Sequence, residues 1–291
     1  MEGILVVDKA AGMTSHDVVG RVRRIFSERR VGHGGTLDPM ATGVLPLFVG
    51  RATRAVEFAA GADKEYVATM RTGLTTDTQD LTGTVLSRTP GHVTGARVEA
   101  LLPEFTGALQ QVPPMYSAVK QGGKKLYELA RQGITVERRP RQIEIHSLTL
   151  LSAREEEGEF TLKVVCSKGT YVRTLVHDLG AALGCGAALS ALRRTRAGRF
   201  TLEEAVTLEE LQDRGRDFPL LPVDALFSQY PALSLDTAQE ARCRNGADIA
   251  LSAAPGDGLW RVYAPDGAFL MLGRAQDTVL KTEKNFFAPK D

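Results

Sequence analysis

The sequence predicts an α+β protein, and three observations carry that reading. Runs with the two-residue alternation of strands are mixed irregularly with runs of helical period, without a regular βαβ rhythm. Around residues 218–231 the chain becomes proline-bearing and loses its periodicity, which marks a domain boundary. Beyond that point, short strand-like runs flank a turn. The 291 residues can bury one large core or two unequal ones, and 43% hydrophobic with 24% charged residues is ordinary for a globular chain.

The first helix is expected over residues 14–24. Thr14 and Asp17 have capping-box spacing, and Val18, Val19, Val22, Ile25 and Phe26 form one apolar stripe. Residues 64–72 and 83–88 alternate like strands, joined by a polar connection rich in turn formers. Two more strands are expected at 142–151 and 159–167, linked by an acidic stretch containing Gly158. A helix over 171–183 should end at Gly184, and 207–214 reads as a short one. In the C-terminal part, 259–263 and 268–272 read as strands either side of Ala264-Pro265-Asp266-Gly267.

Composition narrows the function classes. Cys166, Cys185 and Cys243 are widely spaced and form neither a disulfide framework nor a metal-ligand pattern, which fits a reducing compartment. No signal peptide or membrane-spanning stretch is evident, so a cytoplasmic location is expected. The formal net charge is only +1, yet basic residues cluster locally. Segment 120–141 carries Lys120, Lys124, Lys125, Arg131, Arg138, Arg139 and Arg141; segment 193–199 carries Arg193, Arg194, Arg196 and Arg199; a third cluster lies at 21–30. Basic patches on a near-neutral protein suit a polyanion held in a groove, and a solvated surface helix would look much the same.

The run Gly32-His33-Gly34-Gly35-Thr36-Leu37-Asp38-Pro39 sets one carboxylate in a glycine-rich turn, five residues after a histidine. Pro39 stiffens the exit. No phosphate-binding G-x-x-x-x-G-K-[ST] loop and no G-x-S-x-G nucleophile elbow occurs. A methyltransferase would need a glycine-rich donor site after a strand, and no G-x-G-x-x-G stands there.

Residues 32–46, GHGGTLDPMATGVLP, resemble the catalytic aspartate motif of the bacterial tRNA pseudouridine synthase B family, with Gly34 where that family usually has threonine. Further motifs follow in chain order: Asp8-Lys9 with Gly12, Lys64-Glu65-Tyr66, Gly73 with Thr76 to Asp80, Pro114 to Ala118, and Lys168 to Arg173. The resemblance spans about residues 1–230. It implies a catalytic domain over 1–230, built on a mixed, mainly antiparallel sheet, with an insertion at about 120–141 that clamps RNA. It also implies a small β-barrel-like PUA-type RNA-binding module over 231–291. The implied activity is isomerisation of uridine 55 in the tRNA T loop.

The resemblance implies that Asp38 is the catalytic carboxylate. Breaking the bond between ribose C1′ and uracil N1 and rejoining the base through C5 needs no redox change, donor or metal. A carboxylate serves either by attacking covalently or by removing a proton from the sugar, and the sequence leaves both open. By the same resemblance Arg173 pairs with Asp38 and orients it, Tyr66 lies under the uracil ring, and Leu192 lines the pocket. His33 holds the flipped-out state, which costs about a few kcal/mol to reach in a folded loop. Asp80 joins a polar network around the flipped nucleotides. Lys9, Lys64, Lys120, Lys124, Lys125, Arg131 and Arg193 are expected on the RNA side. The implied partner is the T stem-loop of tRNA, met by a monomer with no cofactor, metal, membrane, protein partner or guide RNA. A non-catalytic tRNA-binding or RNA-folding protein is the competing class.

Overall fold

The computed structural model describes residues 1–89 and 91–288. The chain begins with β1 (Gly3–Lys9), α1 (Ser15–Phe26), β2 (Val31–His33), β3 (Thr42–Val49), α2 (Val56–Gly61), β4 (Lys64–Thr72), β5 (Leu74–Thr76) and β6 (Val85–Arg88). It continues through α3 (Gly95–Leu101), β7 (Gly107–Gln111), β8 (Lys120–Gln121), β9 (Lys124–Lys125), α4 (Leu126–Ala130), β10 (Arg141–Arg154) and β11 (Glu159–Cys166). Next come α5 (Val172–Ala182), β12 (Ala187–Ala197), β13 (Phe200–Thr201) and α6 (Leu208–Arg214). The C-terminal part holds β14 (Ala232–Ser234), α7 (Thr237–Arg244), β15 (Ile249–Ala250), β16 (Gly258–Tyr263), β17 (Phe269–Gln276) and β18 (Val279–Asn285).

One large sheet runs in the order β1-β3-β12-β4-β11-β10-β7, with β2 joined to β3 and β13 to β12. Its pairs are antiparallel except β3 with β12, which meet in parallel at Thr42–Arg193 and Gly43–Arg194. Gly43 permits that contact. A Cβ there would lie 2.2 Å from the Arg194 carbonyl oxygen, and its φ of +103° is costly for any other residue.

The alternating strands form as their pattern dictates. On β4, Lys64, Tyr66, Ala68, Met70 and Thr72 bury one face, and β11 answers with Phe160, Leu162, Val164 and Cys166. Helix α1 starts with the predicted capping box between Thr14 and Asp17 and buries Val18, Val19, Val22 and Phe26 against the sheet. Burying each such side chain is worth about 1.5–3 kcal/mol.

Three adjacent strands, β1, β3 and β12, lie outside the sequence-predicted elements. Both faces of β1 and β3 are buried, so they read as continuous apolar runs rather than as alternation. Strand β12 ends in Arg193-Arg194-Thr195-Arg196, which reads as a basic surface cluster.

Strands β14 to β18 form a separate five-stranded sheet in the order β14-β16-β17-β18-β15. The region around 218–231 is not a free linker. A 3-10 turn at Val223–Phe227 packs Phe227 between Phe58 of α2 and Phe269 and Phe286 of the C-terminal sheet, at ring separations of 5.2, 6.2 and 5.7 Å. Tyr263 donates to Asp224 at 2.6 Å, and Lys284 pairs with Glu57 at 2.7 Å.

Candidate active site

The loop between β2 and β3 carries Asp38, and its backbone is fixed from three sides. From α1, the Ser15 hydroxyl accepts from the Leu37 N–H (2.9 Å) and lies 3.1 Å from its carbonyl. From the end of β1, Lys9 Nζ donates to the carbonyls of Pro39, Met13 and Ala10, while Gly12 N donates to Pro39 O. From β12, Arg194 donates to the carbonyls of Gly35, Thr36 and Val44. Leu37 is buried in the core, so Asp38 is turned outward with its side chain 33% exposed.

Arg173 occupies the second position of α5. That helix has no side-chain N-cap of its own; Gln111 of β7 instead pairs with both the N–H and the carbonyl of Tyr171. The guanidinium is 5% exposed and meets Asp38 in a fork, Nε to Oδ2 at 2.8 Å and Nη2 to Oδ1 at 3.1 Å. Its remaining donors go to the carbonyls of Thr78 (2.9 Å) and Tyr116 (2.8 Å). Two N–H donors thereby fix one orientation of the carboxylate while two more anchor the guanidinium itself.

Beside this pair, β4 and β12 present a joint face. Leu192 stands opposite Ala68 and Arg194 opposite Tyr66, so all four share one side of the sheet. Burial pushes the Tyr66 phenol above its ordinary value; the nearby Arg194 charge opposes that and Asp38 adds to it. A flat, largely apolar wall edged by a phenol, an oriented carboxylate and a buried cation can hold a planar ring and act on the atoms at its rim.

Sequence comparison identifies the framework. Residues 23–172 match the profile described as TruB family pseudouridylate synthase (N terminal domain), and residues 173–227 match that of the tRNA pseudouridylate synthase B C-terminal domain. The chain belongs to the TruB family of pseudouridylate synthases. It is 45% identical over 290 residues to a tRNA pseudouridine synthase B of Syntrophomonas wolfei subsp. wolfei, covering 97% of each protein. It is 47% identical over 295 residues to one of Burkholderia mallei, covering 98% of this chain and 96% of that protein. Among solved structures it resembles a chain of an H/ACA RNP bound to a substrate RNA containing 2′-deoxyuridine. The TM-score there is 0.74 at 27% identity, over 99% of this chain and 86% of that one. A chain of a Cbf5-Nop10-Gar1 complex matches with the same TM-score at 28% identity, over 99% and 85%.

Within this TruB-family chain, Asp38 and Arg173 fall in the two separately matched segments, so the pair spans their seam. His33 ends β2 and packs edge-on against His16, with ring centroids 5.4 Å apart. Its buried Nδ1 has no hydrogen-bond partner among the described residues, and burial lowers its pKa. Asp80 is buried, accepts hydrogen bonds from Thr78 and Thr82, and places Oδ2 3.8 Å from Arg173 Nε.

The basic residues divide. Lys120, Lys124 and Arg131 are exposed on the insertion, where β8 and β9 form a small hairpin leading into α4; Lys125 is half-buried there. Lys125 and Arg131 both lie against the Tyr127 ring, at 5.4 and 5.3 Å. Lys9 and Lys64, read from sequence as RNA-facing, are instead buried on backbone carbonyls, Lys64 on those of Ala60 and Ala62. Burial lowers both amines to a pKa of about 8. Arg193 is paired with Asp8 at 2.7 Å, and Arg199 with Glu204 at 2.8 Å. The 193–199 cluster is therefore largely engaged within the protein. The residue missed by sequence reasoning is Arg194, whose three carbonyl partners lie about 150 positions away and leave no local signal.

Proposed function

We propose that this protein isomerises uridine to pseudouridine in tRNA, acting on position 55 of the T loop, with Asp38 as the reacting carboxylate. The observation that carries the reading is the forked Arg173–Asp38 pair beside the Tyr66–Leu192 wall, in a chain of the TruB family.

The flipped uridine stacks on Tyr66 and Leu192, which brings its C1′ to the half-exposed Asp38. Held by Arg173, the carboxylate either attacks C1′ or takes a proton from the sugar. Both routes need a carboxylate oxygen held at the sugar, and a fixed orientation removes the entropy of finding it. Once the C1′–N1 bond breaks, the base rotates against the flat wall and C5 bonds to C1′. That new bond displaces the carboxylate from C1′ if it had attacked there, or the sugar takes back its proton if it had not. The C5 hydrogen then leaves as a proton and N1 gains one. His33, at the loop entrance, supports the extruded state, and the exposed cations of 120–141 contact phosphates.

The chain acts alone on tRNA, as a monomer in the cytoplasm and without a guide RNA. Support comes from full-length relatives named tRNA pseudouridine synthase B. No helix among the described residues is long and apolar enough to cross a membrane. Residues 1–230 form the catalytic domain and 231–291 a PUA-like module.

The test is tritium release from an unmodified tRNA transcript labelled at uridine C5, with no other macromolecule added. Release by the wild type and none by Asp38→Asn is the expected result. Tight tRNA binding without release by the wild type would instead support an RNA-binding protein.

A further inference from the structure

Arg194 heads the large side chains that are fully enclosed, at 1% exposure. All three of its side-chain hydrogen bonds end on carbonyl oxygens: Nε on Val44 at 2.7 Å, Nη1 on Thr36 at 3.3 Å and Nη2 on Gly35 at 3.1 Å. A buried guanidinium held only by carbonyls is a costly way to fill space, since apolar side chains would pack the same volume without desolvating a charge. Its placement explains the cost. The three carbonyls flank Asp38 on both sides, two in the approach to it and one in the strand that leaves it. In the sheet, Arg194 stands directly opposite Tyr66. The neighbouring Lys9 and Lys64 are themselves buried cations, so they add to the cost of its charge rather than offset it.

We propose that Arg194 is a positioning residue for the isomerisation. Its fork fixes the backbone on both sides of Asp38, and Tyr66 is its cross-strand partner, so carboxylate and phenol are held in one frame. The proposal rests on Asp38 being the reacting carboxylate. Arg173 sets the direction of that carboxylate from the side-chain end; Arg194 sets its height from the backbone end. Burial raises the Tyr66 pKa, and the Arg194 charge is the leading influence against that rise, favouring the ionised phenol.

Two variants separate the two parts. Arg194→Lys keeps a cation but cannot reach three carbonyls with a fork. It should lower the single-turnover rate by about 10- to 100-fold, in line with the cost of a small misplacement, while changing tRNA affinity less than about threefold. Arg194→Gln removes the charge. In protein carrying 3-fluorotyrosine, with the Tyr66 resonance assigned through Tyr66→Phe, 19F NMR should show the Tyr66 titration moved to higher pH in Arg194→Gln and little changed in Arg194→Lys. A wild-type single-turnover rate in Arg194→Lys would overturn the proposal, as would an unmoved Tyr66 titration in folded Arg194→Gln. If Arg194→Gln does not fold, the Arg194→Lys rate decides alone. The titration needs no turnover, so its outcome is separate from any failure of wild-type protein to release tritium.

Discussion

Arg173 reaches Asp38 across 135 positions of sequence and binds it through two nitrogens, while the same guanidinium ties down the Thr78 and Tyr116 carbonyls. One side chain therefore joins the Asp38 loop to two other loops. The Tyr116 segment leads directly into the basic insertion, and the Thr78 segment holds Asp80.

Replacing Arg173 by lysine keeps the charge and loses the fork. Because the bonds to Asp38 and to both carbonyls act together, we expect kcat for tritium release to fall at least about 100-fold. KM should change by only a few-fold. A kcat within about threefold of wild type would show that the fork is dispensable.

His33 stands at the loop entrance rather than against the carboxylate. His33→Ala should slow turnover, yet leave far more activity than Asp38→Asn does under single-turnover conditions. Complete loss in both variants would assign His33 to the chemistry rather than to holding the flipped state.

The surroundings of Gly34 fit a residue without a side chain. A Cβ there would sit 2.8 Å from Ala59 Cβ and 3.1 Å from a ring carbon of Phe48. Gly34→Thr should destabilise the protein by about 1–3 kcal/mol, the usual cost of overpacking. Adding Ala59→Gly should recover part of the loss in thermal melts.

The exposed cations of the insertion should make tRNA binding salt-dependent. The slope of log affinity against log salt is about −0.7 for each single-strand phosphate neutralised. Lys124→Ala and Arg131→Ala should each reduce that slope by about one such increment in filter-binding assays. Unchanged slopes would place the phosphates elsewhere.

Lys9 and Lys64 have folded-state pKa values near 8, well below the ordinary 10.5 of the unfolded chain. Above pH 8 the unfolded state binds more protons at these sites than the folded state, so their contribution to stability rises with pH. It is complete above about 10.5 and lost as pH falls through 8. Cys166, pushed up to about 11 by burial, works in the opposite direction once pH approaches 9, the ordinary thiol value. Denaturant melts between pH 8 and 9 should therefore show stability increasing, with a shallower increase in Lys64→Met.

Several of these features were legible in the sequence and others were not, for physical reasons. The α1 cap is a local hydrogen-bond motif spanning the four residues from Thr14 to Asp17, and β4 and β11 show alternation because their two faces differ in burial. Strand β12 hides because its arginines are spent inside the protein, on partners that spacing does not reveal. Lys9 and Lys64 read as surface cations for the same reason: lysine carries no sequence mark of carbonyl partners. Asp38 and Arg173 were marked by their motifs, whereas the fork that joins them exists only in three dimensions.

The packing of Phe227 bears on how the molecule can be divided. Its ring touches Phe58 on one side and Phe269 and Phe286 on the other, and Phe269 stacks on Phe286 at 5.3 Å. Cutting the chain after residue 230 would strip those two phenylalanines away and leave Phe227 and Phe58 facing water. A truncated protein would then aggregate or melt early for want of a cover, and its lost activity would say nothing about how the removed segment touches RNA.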